Sequence, residues 1–553
     1  MKTVVAAALG ECVHVAGVSN FLRLAEAAGW RTVFLGPAVP IADVLAAARA
    51  EKADASTALG ELLVGVSYRL TRETGERLLG EFAEAADDLH AAGVRFAFGG
   101  TPPVAEAARG LGFFEKVFDG SETPEQVLAW LKGQPAGKLT ETDFPQTLLE
   151  RIHWKSPYPL LRHHFGLPSL QATIEGVARI AEAQALDVIS LGTDQDAQEN
   201  FFHPERQDNR RKGAGGVPVR SPQDFGLVYA ARHRGNFPLL RAYSGTDDFI
   251  PYAEMLTRTI HNAWCAIPLF WFNQMDGRGP WDLAGSIREH QQVMAWYGTH
   301  GIPVELNEPH HWGMRDAPDV VSVVSAFLSA WNARSSGVRD YIAQLMFNCP
   351  PGLSDAMDLA KMLAVLELIA PLEWENFHIW KQTRAGLLSY PLDPEAARGH
   401  LAAATYLQMA LHPQIVHIVG HTEADHAATP RDIIAASKVA RRAIENALRG
   451  APDPTTDPLV QARKEELVAE ARLTLEAIRL LAKPGVEDPW SDPSTLAAAV
   501  TSGILDAPQL RNNPFGRGLV RTQVVKGMCL AVDQANRPLS EKERLASIRK
   551  EKT

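Results

Sequence analysis

The run Thr3-Val4-Val5-Ala6-Ala7-Ala8-Leu9, followed by Gly10-Glu11-Cys12-Val13-His14-Val15-Ala16-Gly17, sets the reading of the chain. A short uncharged run of this length, closed by a glycine, suits a strand covered on both faces, as in a parallel sheet. One lysine and a brief apolar stretch also open a secretory leader. Here a charged, His-bearing segment follows where a cleavage site would lie, so a first strand is expected.

Working outward, the same pattern repeats. Residues 32–35, 62–66, 94–98 and 116–118 read as further buried parallel strands, and residues 19–28, 41–50, 72–91 and 104–111 carry apolar residues at helical spacing. Thr123-Pro124-Glu125 supplies a cap with proline in the first turn and opens a last helix. Five βα units predict a Rossmann-like, doubly wound open sheet over residues 1–135, with ligands bound beyond the carboxyl ends of its strands. Residues 133–142, GQPAGKLTET, read as a linker.

From 143 to 450 the alternation resumes with a longer period. Strands are expected at 159–165, 186–191, 237–243, 263–272, 302–307, 341–347, 376–382 and 414–420. Helices separate them, among them 170–185, 250–262, 282–299, 317–333 and 430–448. Eight βα units in a stretch of this size predict an α/β barrel of the (β/α)8 or TIM type. Residues 207–220, QDNRRKGAGGVPVR, read as a long loop with the makings of a lid. Beyond APDPTTDP, residues 451–553 form a helical and irregular C-terminal extension, with one helix expected at 459–481.

Composition narrows the function classes. The 553 residues carry a formal charge of −10, which argues against nucleic acid or an acidic membrane surface as partner. No apolar stretch approaches the ~18 residues that a bilayer span needs. The four cysteines, Cys12, Cys265, Cys349 and Cys529, have no ligand-like spacing, which disfavours a zinc ribbon, a thioredoxin-type site or an iron–sulfur cluster. The expectation is a cytoplasmic enzyme with a small-molecule substrate, with a homodimer as the assembly to look for.

The loop after the first strand has no GxGxxG or GxxxxGK[ST], which disfavours a pyrophosphate cradle. It offers His14 and, three residues on, Gly17. Val64-Gly65-Val66-Ser67 ends the third strand, and Phe98-Gly99-Gly100-Thr101 ends the fourth. In order and spacing these residues resemble the cobalamin-binding domain shared by adenosylcobalamin mutases and methionine synthase, with its D-x-H-x-x-G, S-x-L and G-G motifs. The likeness is strongest to the small sigma subunit of glutamate mutase. It implies that His14 replaces the corrin's own base as lower axial ligand to cobalt. Gly17, Ser67, Gly99 and Gly100 would then line the slot of the nucleotide tail. The family's aspartate two residues before the histidine is Cys12 here, with Glu11 one place further back.

The expected barrel mouth carries Val304-Glu305-Leu306-Asn307-Glu308-Pro309-His310-His311-Trp312 and Val419-Gly420-His421-Thr422-Glu423-Ala424-Asp425-His426. It also carries Gly192-Thr193-Asp194-Gln195-Asp196 and Arg241-Ala242-Tyr243-Ser244-Gly245-Thr246-Asp247-Asp248. Asn307-Glu308-Pro309 resembles R-E-P of the epsilon subunit of glutamate mutase, and Thr422-Glu423-Ala424 resembles its H-E-A. In the tail, Gly503-Ile504-Leu505-Asp506-Ala507-Pro508 stands where that family has G-V-M-D-I-P. The resemblance therefore spans both subunits of one enzyme in a single chain.

It implies adenosylcobalamin as cofactor and radical carbon-skeleton isomerisation as reaction. Glu423 would hold the ribose hydroxyls of the adenosyl group, and Glu308, His310, His311, Arg241 and Tyr243 would hold the substrate. The three arginines that bind glutamate in that family align with His164, Gln198 and Tyr243, so a substrate other than glutamate is expected. Asp194, Asp196, Glu199, Asp247 and Asp248 suggest an amine or polyol, or else a solvated acidic rim. Two other readings stand beside the mutase, a corrinoid-dependent methyltransferase and a non-catalytic cobalamin-binding protein. The His/Glu groups around 308–311 and 421–426 could supply a metal site, although no H-E-x-x-H spacing supports one.

Overall fold

The fold was taken from a computed structural model, which describes residues 2–54, 61–122, 124–133 and 140–550. The chain divides into two compact units, Met1–Lys138 and Leu139–Thr553.

In the first unit, β1 (Thr3–Leu9), β2 (Arg31–Val39), β3 (Leu62–Tyr68), β4 (Arg95–Gly100) and β5 (Lys116–Phe118) form one parallel sheet in the order β2-β1-β3-β4-β5. The side chains of β1 part to two sides, as the two-residue strand period requires. Val4 and Ala6 join one core with Val18, Leu22 and Ala25 of the helix Ala16–Ala27 and Leu131 of the helix Pro124–Leu131. Val5, Ala7 and Leu9 join a second core with Val44 and Ala48, Leu79 and Phe82, and Val104 and Ala108 from the helices Ile41–Asp54, Arg72–Ala85 and Pro102–Leu111. Helices thus cover both faces, and the strand order reverses direction between β1 and β3. The loops after these two strands border the crevice that such a reversal opens. Thr123 and most of the expected linker, residues 134–139, lie outside the described residues.

The second unit is a barrel. Its strands are β6 (Leu160–Phe165), β7 (Val188–Leu191), β8 (Leu239–Ala242), β9 (Cys265–Ile267), β10 (Val304–Leu306), β11 (Asp340–Phe347), β12 (His378–Ala385) and β13 (Ile415–His417), all parallel and paired in chain order. β13 returns to β6. Between β8 and β9 two backbone bonds close the ring, Ala263 N to Leu240 O at 2.9 Å and Ser244 N to Ala266 O at 3.3 Å. A helix follows each strand, from Leu170–Glu182 after β6 to Pro430–Leu448 after β13. Several start at caps legible in the sequence: Ser169, Ser221, Asp282, Ser354, Asp393 and Thr429 each accept a backbone N–H of the first turn.

The amino-terminal end of the barrel is plugged. Leu148 and Ile152 of the helix Leu148–Lys155 pack on Leu160, Val188, Leu239, Ile342 and Ile415, an apolar floor contributed by five strands. The extension belongs to the same core. Val460, Leu467, Ala471, Leu475 and Ile478 of the helix Pro458–Arg479 pack with Val320, Val324 and Leu328 of the helix Asp319–Ser335, which is buried almost throughout. Its outer part carries the hairpin β14 (Thr522–Val525) and β15 (Met528–Ala531) and the helix Glu541–Lys550.

The loop read as a lid is held down in this structure. The loop 207–220 is fastened to the end of β7: Val217 N donates to Gly192 O at 2.8 Å, and Arg220 forks onto Asp194 at 2.8 and 2.7 Å. A Cβ on Gly166 or Gly216 would lie 2.0 or 2.1 Å from Gly192 O, so only glycine permits this approach.

Candidate functional site

At the carboxyl edge of the first unit's sheet, the β1 loop presents His14 exposed, with Val13 beside it 62 % exposed. Ala8 of β1 is in register with Ser67 of β3, and Ser67 with Gly99 of β4. Ser67 is buried and its hydroxyl has no hydrogen-bond partner among the described residues. A Cβ on Gly99 or on Gly17 would meet nothing within 4 Å, so open space lies beside both. Gly100 is different, because a Cβ there would stand 2.7 Å from Phe98 and 2.8 Å from Tyr68 O; its glycine is required by packing. Glu11 does not support His14. Its Oε1 accepts from Tyr68 OH at 3.4 Å, while His14 Nδ1 lies 4.0 Å from Cys12 Sγ.

In the barrel, a polar layer rests on the apolar floor. Inward positions alternate along each strand, and the next ones up hold Arg162, Ser190, Arg241, Glu305, Gln344, Gln382 and His417. Arg162 of β6 spans the barrel to Glu305 of β10, with Nη1 to Oε2 at 3.1 Å. Trp264 Nε1 donates to the same oxygen at 2.7 Å, and Gln344 Nε2 to the other at 3.0 Å. Arg162 Nη2 lies 2.8 Å from His417 Nδ1. Arg241 Nε donates to Ser190 Oγ at 3.0 Å, and its guanidinium lies over the rings of Tyr243 and Trp264, 4.8 and 5.4 Å from their centroids. Its Nη1 and Nη2 are buried without a partner among the described residues. Arg384 of β12 is 3 % exposed, and its Nε donates to Ala385 O at 3.4 Å.

Three guanidinium groups thus lie near one buried carboxylate, of which only Arg162 is paired with it, and the electrostatics follow. Burial, reinforced by Arg241, draws Arg162 down to about 9, while burial lowers Arg384 as well. Burial would raise the Glu305 carboxyl, but the charges of Arg162 and Arg241 outweigh it and hold the group below its ordinary value. His164 and His417 are held well below the ordinary imidazole value, first by burial and then by Arg162, so both are neutral at pH 7. His164 stacks on Tyr243, with centroids 5.4 Å apart and planes 11° apart, and both rings are half-buried.

Around this layer stand the residues singled out at the mouth. His310 and His311 are buried, neutral through desolvation, and 5.5 Å apart between ring centroids. His310 Nδ1 lies 3.4 Å from Met346 Sδ, and His311 stacks on Trp271, which Arg315 covers at 3.9 Å. Glu308 corrects the expectation of a substrate ligand. Its Oε2 accepts from Leu269 N at 2.5 Å and Phe270 N at 3.1 Å, and its Oε1 from Trp312 Nε1 at 2.9 Å. The carboxyl, pushed up to about 7 by burial, braces the β9 loop. Glu423 lies exposed beyond β13.

The acidic residues are occupied, which removes the reason to expect an amine or polyol. Asp194 is held by Arg220, and Asp196 and Glu199 by Arg211. Among the described residues, His203, Asp247 and Asp248 alone bring three ligand-type atoms within 4.8 Å of one another; the His/Glu groups at 308–311 and 421–426 do not converge. His203 Nε2 pairs with Asp248 at 2.9 Å, and Arg206 lies 4.0 Å from Asp247.

No protein-family model and no curated protein matches this chain. Solved structures similar to it include 7,8-dihydropteroate synthase from Vibrio fischeri ES114, at 13 % identity over 53 % of this chain and 95 % of that one, with a TM-score of 0.32. Dihydropteroate synthase from Stenotrophomonas maltophilia is similar at 13 % identity over 54 % of this chain and 95 % of that one, with a TM-score of 0.31. The third is 2,3-dimethylmalate lyase, a PEP mutase/isocitrate lyase superfamily member, at 12 % identity over 60 % and 97 %, with a TM-score of 0.28. Likeness at this level bears on neither substrate nor reaction, and the barrel rests on its own strand register.

Arg162, Glu305, Gln344, Gln382, Arg384 and His417 were missed in the sequence as site residues. Their signal was present as polar residues at alternate positions of otherwise apolar strands, as in Leu160-Leu161-Arg162-His163-His164 and Gln382-Thr383-Arg384.

Proposed function

We propose that this protein is an adenosylcobalamin-dependent carbon-skeleton mutase, an isomerase of the glutamate mutase type acting on a substrate other than glutamate. One observation carries the reading. An exposed imidazole, His14, and a buried hydroxyl without a partner, Ser67 Oγ, stand at the carboxyl ends of two adjacent strands where the sheet order reverses. The residues present fit a corrinoid there. His14 is exposed and able to serve as a metal ligand, Gly17 and Gly99 leave open space, and Ser67 offers a hydroxyl without a partner among the described residues.

When bound, adenosylcobalamin supplies a carbon radical able to take a hydrogen atom from a substrate. His14 would hold the cobalt, with its other ring nitrogen facing Cys12 rather than a carboxylate. Ser67, Gly99 and Gly17 would line the cofactor's tail, with Gly100 shaping the strand end. In the barrel, Arg241 and Tyr243 orient the substrate from β8. His310 and His311, kept neutral by burial, wall the site without adding charge. Trp271 and Trp312 exclude water around them, which a radical site requires. Glu423, exposed at the rim, remains the candidate for the adenosyl ribose.

The test is to add adenosylcobalamin to the full chain and record its absorption spectrum. A histidine-ligated spectrum is expected, and His14→Ala should move it toward the base-off form. Failure to bind any corrinoid overturns the proposal; binding with a spectrum that His14→Ala leaves unchanged removes His14 as the ligand.

A further inference from the structure

The arginine layer poses a separate question, because its charge is not balanced by the protein. Arg162 has Glu305 within 3.1 Å, whereas Arg241 is bonded to a serine hydroxyl and Arg384 to a backbone carbonyl, with the Glu423 carboxylate acting on Arg384 only from further off. An unpaired charge in a protein interior is strongly unfavourable unless something neutralises it. The rings of Tyr243 and Trp264 offset part of this for Arg241. They offer no acceptor to Nη1 and Nη2, the two nitrogens that form the carboxylate-matching fork. The neighbouring imidazoles cannot compensate, since His164 and His417 are neutral groups. His164 and Tyr243, stacked beside the layer, are half-buried and form its border with solvent, while Arg241 Nη1 and Nη2 lie beneath them, buried.

We propose that this layer binds an oxyanion, the carboxylate or phosphate group of a small substrate, with Arg241 Nη1 and Nη2 as its principal donors and Arg384 as the second cation. The site takes one such group at its buried end: Arg162 is committed to Glu305, which leaves two guanidinium groups for the ligand. Tyr243 OH and His164 Nε2, 3.4 Å apart, stand ready as neutral hydrogen-bonding partners. An amine is repelled here, and a polyol leaves the charge unanswered. The inference concerns the barrel alone and does not require that the first unit bind a corrinoid.

The experiment titrates the full chain with butyrate, butylamine, butanol and inorganic phosphate, following each by ligand-detected NMR and competition, with and without adenosylcobalamin. Saturable binding of butyrate or phosphate is expected, and their competition identifies which oxyanion the site prefers. Butylamine or butanol binding as tightly as both anions overturns the proposal. Arg241→Gln should weaken anion binding by about 10- to 100-fold, the worth of a charged hydrogen-bond pair; an unchanged affinity overturns the assignment to Arg241. Should that variant fail to fold, Arg241→Lys is read instead, with a smaller loss because the charge stays while the fork is gone. Anion binding that persists when no corrinoid binds separates this inference from the cofactor reading, and the reverse result overturns this one alone.

Discussion

Two clusters of buried cations in the second unit are balanced differently. Where the extension packs on the barrel, Lys361 lies 2.9 Å from Asp358 and 3.5 Å from Asp319, and its Nζ donates to Cys349 O at 2.8 Å. Arg463 of the long tail helix reaches the same Asp319 at 3.4 Å and Glu466 at 2.7 Å. Asp319 also accepts the backbone N–H of Cys529, which fixes the hairpin β14–β15. Here every cation has a carboxylate, and the cluster joins three parts of one unit. In the barrel layer three guanidinium groups have Glu305 as their one ion-paired carboxylate, to Arg162, with Glu423 acting on Arg384 from further off. The first arrangement is how a fold buries charge for its own sake. The second is half of an arrangement, of the kind found where a site is prepared for a ligand.

Breaking the balanced cluster should have the largest effect. Lys361→Met strands Asp319 and Asp358 in the interior, and a loss of about 3–5 kcal/mol is expected in chemical denaturation of the second unit. A loss below 1 kcal/mol would mean that the cluster is not a structural tie. Glu305→Gln should cost about 3 kcal/mol by the same logic, since Arg162 then loses its only carboxylate. If Glu305→Gln is neutral, Arg162 belongs with Arg241 in the ligand's half of the layer.

The pH dependence sharpens the contrast. His163, beside the arginine layer, is held down to about 4 by burial, and His290 likewise. Both are neutral in the folded state, while in the unfolded chain they take up protons below the ordinary value of 6.5. Protons therefore favour unfolding, and stability should fall as pH drops from 6.5 toward about 4, with no contribution above 6.5. Each histidine adds at most about 1.4 kcal/mol per pH unit, so His163→Asn should flatten the profile of unfolding midpoint against pH by about that slope. An unchanged profile would show that His163 is protonated in the fold.

The smallest effect on stability is expected at Arg241. Arg241→Gln removes an unbalanced charge, so the unfolding midpoint should stay within about 1 kcal/mol of the parent or rise, the opposite sign to Lys361→Met. Destabilisation as large as that of Lys361→Met would mean that the charge is balanced by the protein after all.

Much of the fold was legible in the sequence because it depends on local pattern. The bounds of β1 and β5 and of the helix Pro430–Leu448 follow from run length, caps and period; six of the eight barrel strands fall within their expected segments, while β11 starts one residue before its segment and β12 runs three residues past its end. β2 was harder to bound. It runs on to Val39 through register shifts, with Gly36 and Ala38 at positive φ, and such irregularity has no periodic signature. The site was legible only in outline. Arg241, Tyr243, His310 and His311 do gather around one barrel end, but Glu308 had looked equally suitable and is consumed by backbone amides. The acidic residues after β7 suggest a cationic or polyol ligand when read in sequence, but in the structure Arg211 and Arg220 fold back onto them.

The sequence by itself determined which segments become strands and helices, because period and capping act over a few residues. It also determined the candidate ligand residues of the β1 loop, His14 and Gly17, which lie close together in the chain. Only the tertiary structure decided the charge of the barrel's interior. Arg162, Arg241, Glu305 and Arg384 are scattered over more than two hundred positions, and whether a buried cation is paired depends on what the opposite strand carries. That is a property of barrel closure, and strand pattern alone does not contain it.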